Sequence, residues 1–340
     1  MNNRPSPLVI PIFIPHAGCP HRCVFCDQTA ITGIETTPAV ADIRPVLRRF
    51  LAYNRRKRSP VQAAFFGGNF LGLAPDRIID LLKETDDCVR EGLIDQVRFS
   101  TRPDTITEQT LDLISGFSVR AIELGIQSMD DGVLSLSRRG HTAMQNRKAL
   151  QQLKERGYET GAQIMTGLPG DSGHPSVQTA EILAALAPDF VRIYPAVILA
   201  GSTLARWHQD GRYTPPSLDD AVRLVATLHE IFTAHDIPVI RMGLQPTEDL
   251  EYGGAVQGGP YHPAFGHLVQ SEIFLRKEIR AVSDLSGHTA EITLIVNPRD
   301  VSAARGQKNS NIRRLEKTCG VRAIRVIEDE SLNPGQLICR

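Results

Sequence analysis

The sequence predicts an α/β protein: an open, partial (β/α)6 barrel followed by a small C-terminal βααβ unit. Three observations predict it. Short β-rich runs alternate with longer stretches whose apolar residues recur at helical spacing, the pattern of repeated βα units around a parallel sheet. Six such units are too few to close an eight-stranded barrel with a packed interior, but enough for an open one. At 340 residues the chain also exceeds the size, roughly 250 to 300 residues, at which single cores stop growing, so one large domain and an appendage are expected.

Taken in order, strands are expected near 9–15, 63–67, 97–101, 121–127, 160–166 and 190–198. Between them, "ADIRPVLRRFLAYNRR", "PDRIIDLLKETDDCVREG", "TEQTLDLIS", "QNRKALQQLKERG" and "PSVQTAEILAAL" carry the helical periodicity. The unusual short strings follow the strands: "PHAGCPHRC", "GGNF", "TRPD", "QSMDD" and "TGLPGD" come after the first five in turn. Gly and Pro there are ordinary turn punctuation. Their recurrence on one face of the barrel, the C-terminal ends of the strands, is where loop-borne chemistry is expected. A helix over 217–235 and a short strand "IPVIRM" extend the barrel side. The Gly-rich "EYGGAVQGGPYHPAFGH" looks too irregular for a regular element and precedes a helix "LVQSEIFLRKEIRAV". The expected divisions are a barrel at 1–245, a Gly-rich loop and helix at 246–284 that extends the barrel or covers its substrate, and a βααβ domain at 285–340.

Lys plus Arg and Asp plus Glu both number 38, so bulk charge argues for neither nucleic acid nor membrane, and a polyanion would have to meet a local patch. One candidate is Arg55 to Arg58, "RRKR", continuing from Arg48 and Arg49, although such a run is also what a solvated helix face looks like. "LVIPIFIP" is too short and too broken by proline to span a bilayer or act as a signal peptide, so a cytoplasmic protein is expected. Of six cysteines, Cys88, Cys319 and Cys339 are scattered and three are clustered, which in a reducing compartment points to metal or redox chemistry.

The cluster is Cys19, Cys23 and Cys26, spaced C-x3-C-x2-C. Thiolates are the preferred ligands of iron–sulfur clusters, and four normally complete a cubane. Three leave one iron open, as catalytic metal sites need. A structural zinc site that takes His16 or His21 as its fourth ligand is the chemical alternative.

The triplet, with Phe25 just before its last cysteine, resembles the signature of the radical S-adenosylmethionine (SAM) superfamily. That resemblance implies a partial TIM-like barrel, a [4Fe–4S] cluster on the three cysteines, and SAM chelating the open iron. One electron then cleaves the cofactor to a 5′-deoxyadenosyl radical that abstracts hydrogen from the substrate or adds to it. An electron donor such as a flavodoxin or ferredoxin is implied as partner. Within the superfamily the chain is similar to the Elongator catalytic-subunit family, and more distantly to oxygen-independent coproporphyrinogen oxidases. The similarity runs over roughly residues 10–245 through "PHAGCPHRCVFC", "FFGGNF", "STRPD", "IELGIQSMDDGVLSLSRRGHT", "QIMTGLPG" and "VRIYPAVILAGSTL".

Residue by residue, the resemblance implies that Gly67, Gly68 and Asn69 present backbone to the cofactor's amino group. It likewise implies that Gln127, Arg139 and Gln163 reach its ribose and carboxylate, and that Phe25 and the strand from Tyr194 to Val197 flank its adenine. Where relatives carry Glu just before "TRPD", this chain has Ser100. The acetyltransferase domain of the Elongator subunit does not fit in the roughly one hundred residues that follow 245, so acetyl transfer is not carried over.

The tail reads strand, short helix, turn, helix, strand, and its turn Gly306-Gln307-Lys308-Asn309 resembles the GxxG loop of KH domains, which clamps backbone phosphates of single strands. Asn309 replaces the second Gly and tolerates the same left-handed backbone. Lys308, Arg313 and Arg314 would face phosphate. A plain βααβ cap packed on the barrel is the alternative. In the Gly-rich segment His262 and His267 are candidate proton donors or ligands, together with Tyr194 on the barrel, if that loop does more than pack. The combined expectation is a radical enzyme acting on RNA, with tRNA as the foremost target. A radical enzyme acting on a small molecule and a metal-stapled RNA-binding protein without catalysis stand as rivals.

Overall fold

The computed structural model describes residues 7–34, 36–54, 58–285 and 291–340. Seven parallel strands form one curled sheet in the order β1-β2-β3-β4-β5-β6-β8: β1 Leu8–Ile14, β2 Val61–Gly67, β3 Gln96–Thr101, β4 Val119–Gln127, β5 Glu159–Thr166, β6 Phe190–Pro195 and β8 Val239–Met242. Six are the expected strands, and β8 is the "IPVIRM" extension. Each crossover carries helices: α1 Gln28–Thr32 and α2 Val40–Ala52, then α3 Pro75–Arg90, α4 Glu108–Ile114, α5 Asp131–Leu136 and α6 Ala143–Glu155, α7 His174–Leu186, then α8 Thr203–Gln209 and α9 Leu218–Ala234. Their starts follow local chemistry. Thr142 accepts the N–H of Gln145 while the Gln145 side chain answers the Thr142 N–H at 2.8 Å, a capping box, and Ser217 caps α9.

Because helices cover the outer face, strand residues on both faces are apolar wherever the lumen does not need polarity. Ile10, Ile12, Ile14, Ala63, Phe65, Val97, Phe99, Ile122, Leu124, Ile126, Ile164, Val191 and Ile193 are buried in the main core. Phe70 anchors the β2 loop in it, stacked on Phe99 with ring centroids 4.4 Å apart.

Two expectations change. The strand expected over 190–198 stops at Pro195: Ala196 still donates to the Thr166 carbonyl at 2.8 Å, but the chain then leaves the sheet. Ile198–Leu199 (β7) pairs antiparallel with Val256–Gly258 (β9), so the Gly-rich segment holds a strand, plus a short helix α10 at Glu248–Glu251. Gly259, at φ +90°, allows this return: a Cβ there would sit 3.0 Å from the Ala196 carbonyl oxygen.

Helix α11, Phe265–Ser283, is shared by two cores. Phe265, Val269 and Ile273 belong to the barrel core, whereas Leu275 packs with Ile292, Leu294, Leu315 and Val321 of the tail. The tail itself is β10 Glu291–Val296, α12 Val301–Arg305, α13 Ser310–Cys319, β11 Ala323–Glu328 and β12 Leu337–Cys339. Its strands run in the order β11-β10-β12, with β11 parallel to β10 and β12, which the sequence reading omits, antiparallel to it. Of the basic run at Arg55 to Arg58, the first three residues lie outside the described residues. Among the described residues no helix is long and apolar enough to cross a membrane.

Candidate active site at the barrel mouth

At the C-terminal ends of the strands lies a cavity of about 750 Å³. Its lining brings together Cys19, Cys23, Cys26, Phe25, Gly67, Gly68, Gln127, Arg139, Gln163, Tyr194 and Val197, residues spread over nearly two hundred positions of chain.

The cysteine loop is held to the β2 loop backbone against backbone. A Cβ on Gly68 would stand 2.3 Å from the Ala17 carbonyl oxygen, and one on Gly18, at φ +71°, 2.2 Å from that of Asn69. Only glycine permits this approach. Asn69, fully buried, does not line the cavity. Its Nδ2 donates to the Gly18 carbonyl at 2.9 Å, and its Oδ1 accepts from Thr101 Oγ1 at 2.7 Å, Arg102 N at 3.0 Å and Thr105 Oγ1 at 3.0 Å. Its side chain is therefore a buckle between the cysteine loop and β3. On the other side, the Gln28 amide accepts from the His16 N–H and donates to the Gly67 carbonyl.

Burial raises the Cys19 thiol and, with Cys23 and Cys19 nearby, pushes Cys26 up to about 12. Cys19 and Cys26 thus stay protonated until a positive centre displaces their protons, as metal loading does. Arg139, 6% exposed, donates from Nη1 to Cys23 Sγ at 3.1 Å, from Nη2 to the Gly125 carbonyl, and from Nε to His141 Nε2 at 3.2 Å. Burial and the Arg139 charge hold His141 down to about 3, so its imidazole is neutral and can accept that bond. Arg139 therefore reaches the cysteine loop with all three of these donors engaged by protein. Arg102, bidentate to Asp104 at 2.9 and 2.8 Å, also lines the cavity, and its Nη1 is buried without a protein partner.

These residues fit an iron–sulfur cluster better than zinc. His16 Nε2 accepts from the Gln28 N–H at 3.2 Å and His21 Nε2 lies 2.8 Å from the Arg138 carbonyl oxygen, so each candidate fourth ligand already has one ring nitrogen engaged. Among the described residues no three His, Cys, Asp or Glu side chains converge tightly enough for a single ion. A cubane asks instead for one thiolate per iron, with a cavity beside it.

Deeper in the lumen, Ser100 faces Glu123 across β3 and β4, and Gln163 Nε2 donates to both, at 3.0 Å to Ser100 Oγ and 2.8 Å to Glu123 Oε2. A carboxylate missing at Ser100 is thus present on the next strand, but Glu123 is fully buried between Arg98 (2.7 Å) and Arg192 (2.8 Å). Arg241 of β8 lines the same cavity. Glu123, Arg192 and Arg241 escape the sequence reading, although charged residues inside β-rich runs are a usable signal for a polar lumen. Gln127 sits at φ +66° beside a β-bulge, a rare backbone for a non-glycine residue and one found at functional sites.

His262 and His267 are not in the cavity. His262 Nδ1 accepts the Ala264 N–H at 3.0 Å at the start of α11, and His267 Nε2 lies 3.4 Å from Ser302 Oγ of the tail. In the tail, Lys308 (φ +53°) and Asn309 (φ +59°) are left-handed, as the turn requires, and both are exposed. Arg313 closes the turn by donating to the Lys308 carbonyl at 2.6 Å, while Arg314 pairs with Glu272 of α11 at 3.0 Å. Two of the three expected phosphate-facing cations therefore also serve the fold.

A tRNA uridine(34) acetyltransferase of Dehalococcoides mccartyi is 25% identical over 230 residues, 58% of this chain and 50% of that protein. Elongator complex protein 3 of Schizosaccharomyces pombe is 26% identical over 265 residues, 63% of this chain and 48% of that protein. The chain thus spans about half the length of these relatives. Among solved structures, the archaeal Methanocaldococcus infernus Elp3 with an N-terminal deletion shares the fold at a TM-score of 0.62 and 18% identity, over 81% of this chain and 63% of that one. The radical SAM superfamily matches residues 13–183 and the radical SAM C-terminal domain residues 188–274, so the chain belongs to the radical SAM superfamily of enzymes and resembles Elp3 within it.

Proposed function

We propose that the protein is a [4Fe–4S]- and SAM-dependent enzyme that modifies a nucleoside of RNA, with tRNA as the foremost target. The observation that carries the reading is the gathering of Cys19, Cys23 and Cys26 with Gly67, Gly68, Gln127, Gln163 and Tyr194 around one cavity. When bound, cluster and cofactor supply one-electron chemistry able to attack an unactivated carbon. The chain's own contribution is placement. Cys19, Cys23 and Cys26 would hold the cluster through their three thiolates, one iron short of full protein ligation. Gly67 and Gly68 let main chain approach the cofactor, Gln127, Gln163 and Tyr194 offer polar atoms to it, and Phe25 and Val197 supply apolar flanks. Arg139 donates to Cys23 Sγ and so tempers the sulfur's charge. Val9, Phe13 and Phe66 line the lumen with apolar surface that limits water. A small flavodoxin- or ferredoxin-type protein would deliver the electron.

RNA is favoured by the tRNA-modifying relative and by the tail, whose turn after the buried Gly306 leaves Lys308 and Asn309 exposed, as the resemblance to a KH loop asks. The test is anaerobic reconstitution followed by dithionite and SAM. Wild type should turn brown and release 5′-deoxyadenosine, and Cys23→Ala should do neither; equal product from both sinks the reading. For RNA, Lys308→Ala should lower affinity and reduce the salt slope by about 1, and salt-insensitive binding would remove the tail's role. Modified nucleosides compared between cells with and without the gene then identify the target.

A further inference from the structure

We infer that the lumen end of the cavity, at Arg241 and Arg192, seats an anionic group of the substrate, a phosphate or a carboxylate. The inference rests on the reading above, since cluster and cofactor would occupy the cysteine end and leave this end to the substrate.

Arg192 of β6 and Arg241 of β8 are direct cross-strand partners, and both line the cavity. Like charges placed opposite each other on neighbouring strands repel. The repulsion is only half relieved by protein. Glu123 answers Arg192 at 2.8 Å, but it is shared with Arg98 at 2.7 Å, so one carboxylate serves two guanidiniums. Arg241 donates from Nε to the Gly243 carbonyl at 3.1 Å, and among the described residues no carboxylate pairs with it. Arg241 is half-buried, and both burial and the Arg192 charge lower its pKa, yet a guanidinium does not give up its proton in a protein. A permanent cation thus faces a cavity without a counter-ion. The planar fork matches two oxygens of a carboxylate or phosphate, and partial burial strengthens such a bond. Met165 of β5 completes that side of the lining, and Tyr194, two residues beyond Arg192 on the same strand face, stands between this end and the cofactor. Across the opening, Val9, Pro11 and Phe13 of β1, the opposite free edge of the sheet, are apolar. The lumen is therefore polarised, with an anion-accepting wall facing an apolar one, as suits a substrate with a charged end and an apolar or aromatic body.

The experiment uses the cluster-loaded full chain as wild type, Arg241→Gln and Arg241→Lys. Melting temperature is followed against inorganic phosphate and, separately, malonate, with ionic strength held constant by chloride, and SAM affinity is measured by equilibrium dialysis. Wild type should be stabilised by at least one anion, and the half-saturating concentration should rise by about tenfold or more in Arg241→Gln, with Arg241→Lys between. A preference for phosphate identifies a nucleotide-type substrate; a preference for malonate identifies a small acid. SAM affinity should stay within about threefold in both variants. No anion response in wild type, or the same response in Arg241→Gln, overturns the inference. So does a parallel loss of SAM affinity, which would assign the seat to the cofactor. If wild type instead binds no SAM but keeps an Arg241-dependent anion response, the proposed function fails and the anion seat stands.

Discussion

Glu278 sits in the middle of α11, fully buried, with neither carboxylate oxygen bonded to any protein group. Burial alone pushes its pKa from 4.5 up to about 8. A carboxyl raised in this way stabilises the fold least where it must ionise. Below about pH 4.5 both folded and unfolded chains carry the proton and nothing is lost. As pH rises, the unfolded chain releases its proton first, and the folded chain holds on until about pH 8. With 1.36 kcal/mol per unit, the stability lost between about pH 5 and pH 8 is about 3 kcal/mol. Glu278→Gln keeps the shape and removes the titration. Guanidinium chloride unfolding followed by circular dichroism across that range should show the variant gaining on wild type by about this amount as pH rises. Parallel stability curves would refute the reasoning, since a carboxyl that ionises normally in the fold gives no such divergence. Because α11 belongs to both cores, and Cys339 of the tail lies close enough to feel the Glu278 charge, the loss should register in the joint between barrel and tail.

Other residues give sharper local tests. Glu123→Ala strands Arg98 and Arg192 in the lumen without their shared partner and should cost about 3 to 5 kcal/mol, read as a fall in the denaturation midpoint. Asn69→Ala removes the acceptor for Thr101 Oγ1 and Arg102 N together with the donor to Gly18, and should cost about 2 to 3 kcal/mol. It should also lower iron bound per chain after reconstitution, whereas an iron content equal to wild type would show that the cysteine loop does not need the buckle. Gly68→Ala drives a methyl group against the Ala17 and Ile14 carbonyl oxygens, at 2.3 and 2.5 Å, and should likewise lower iron content, with far-ultraviolet circular dichroism kept.

What the sequence by itself determined was everything governed by local spacing. Alternating β-rich and helical runs placed the six main strands to within a few residues, because periodicity is a property of adjacent side chains. The C-x3-C-x2-C triplet, the glycines after β2 and the left-handed Asn309 were legible for the same reason, since each is a short-range requirement of ligand spacing or backbone conformation. Tertiary structure alone decided the long-range matters. Strand β9 exists because β7 is there to pair with it, so a glycine-rich segment with no strand signal still forms one. Helix α11 divides its apolar face between two cores, which its even periodicity does not announce. The Asn69 side chain became a buckle, and His262 and His267 fell outside the cavity, because the reach of a side chain depends on which loops fold over it. The opposition of Arg192 and Arg241, forty-nine residues apart in sequence, exists only because β8 pairs with β6 past the β7 excursion, and strand pairing is set by packing rather than by anything either segment carries alone.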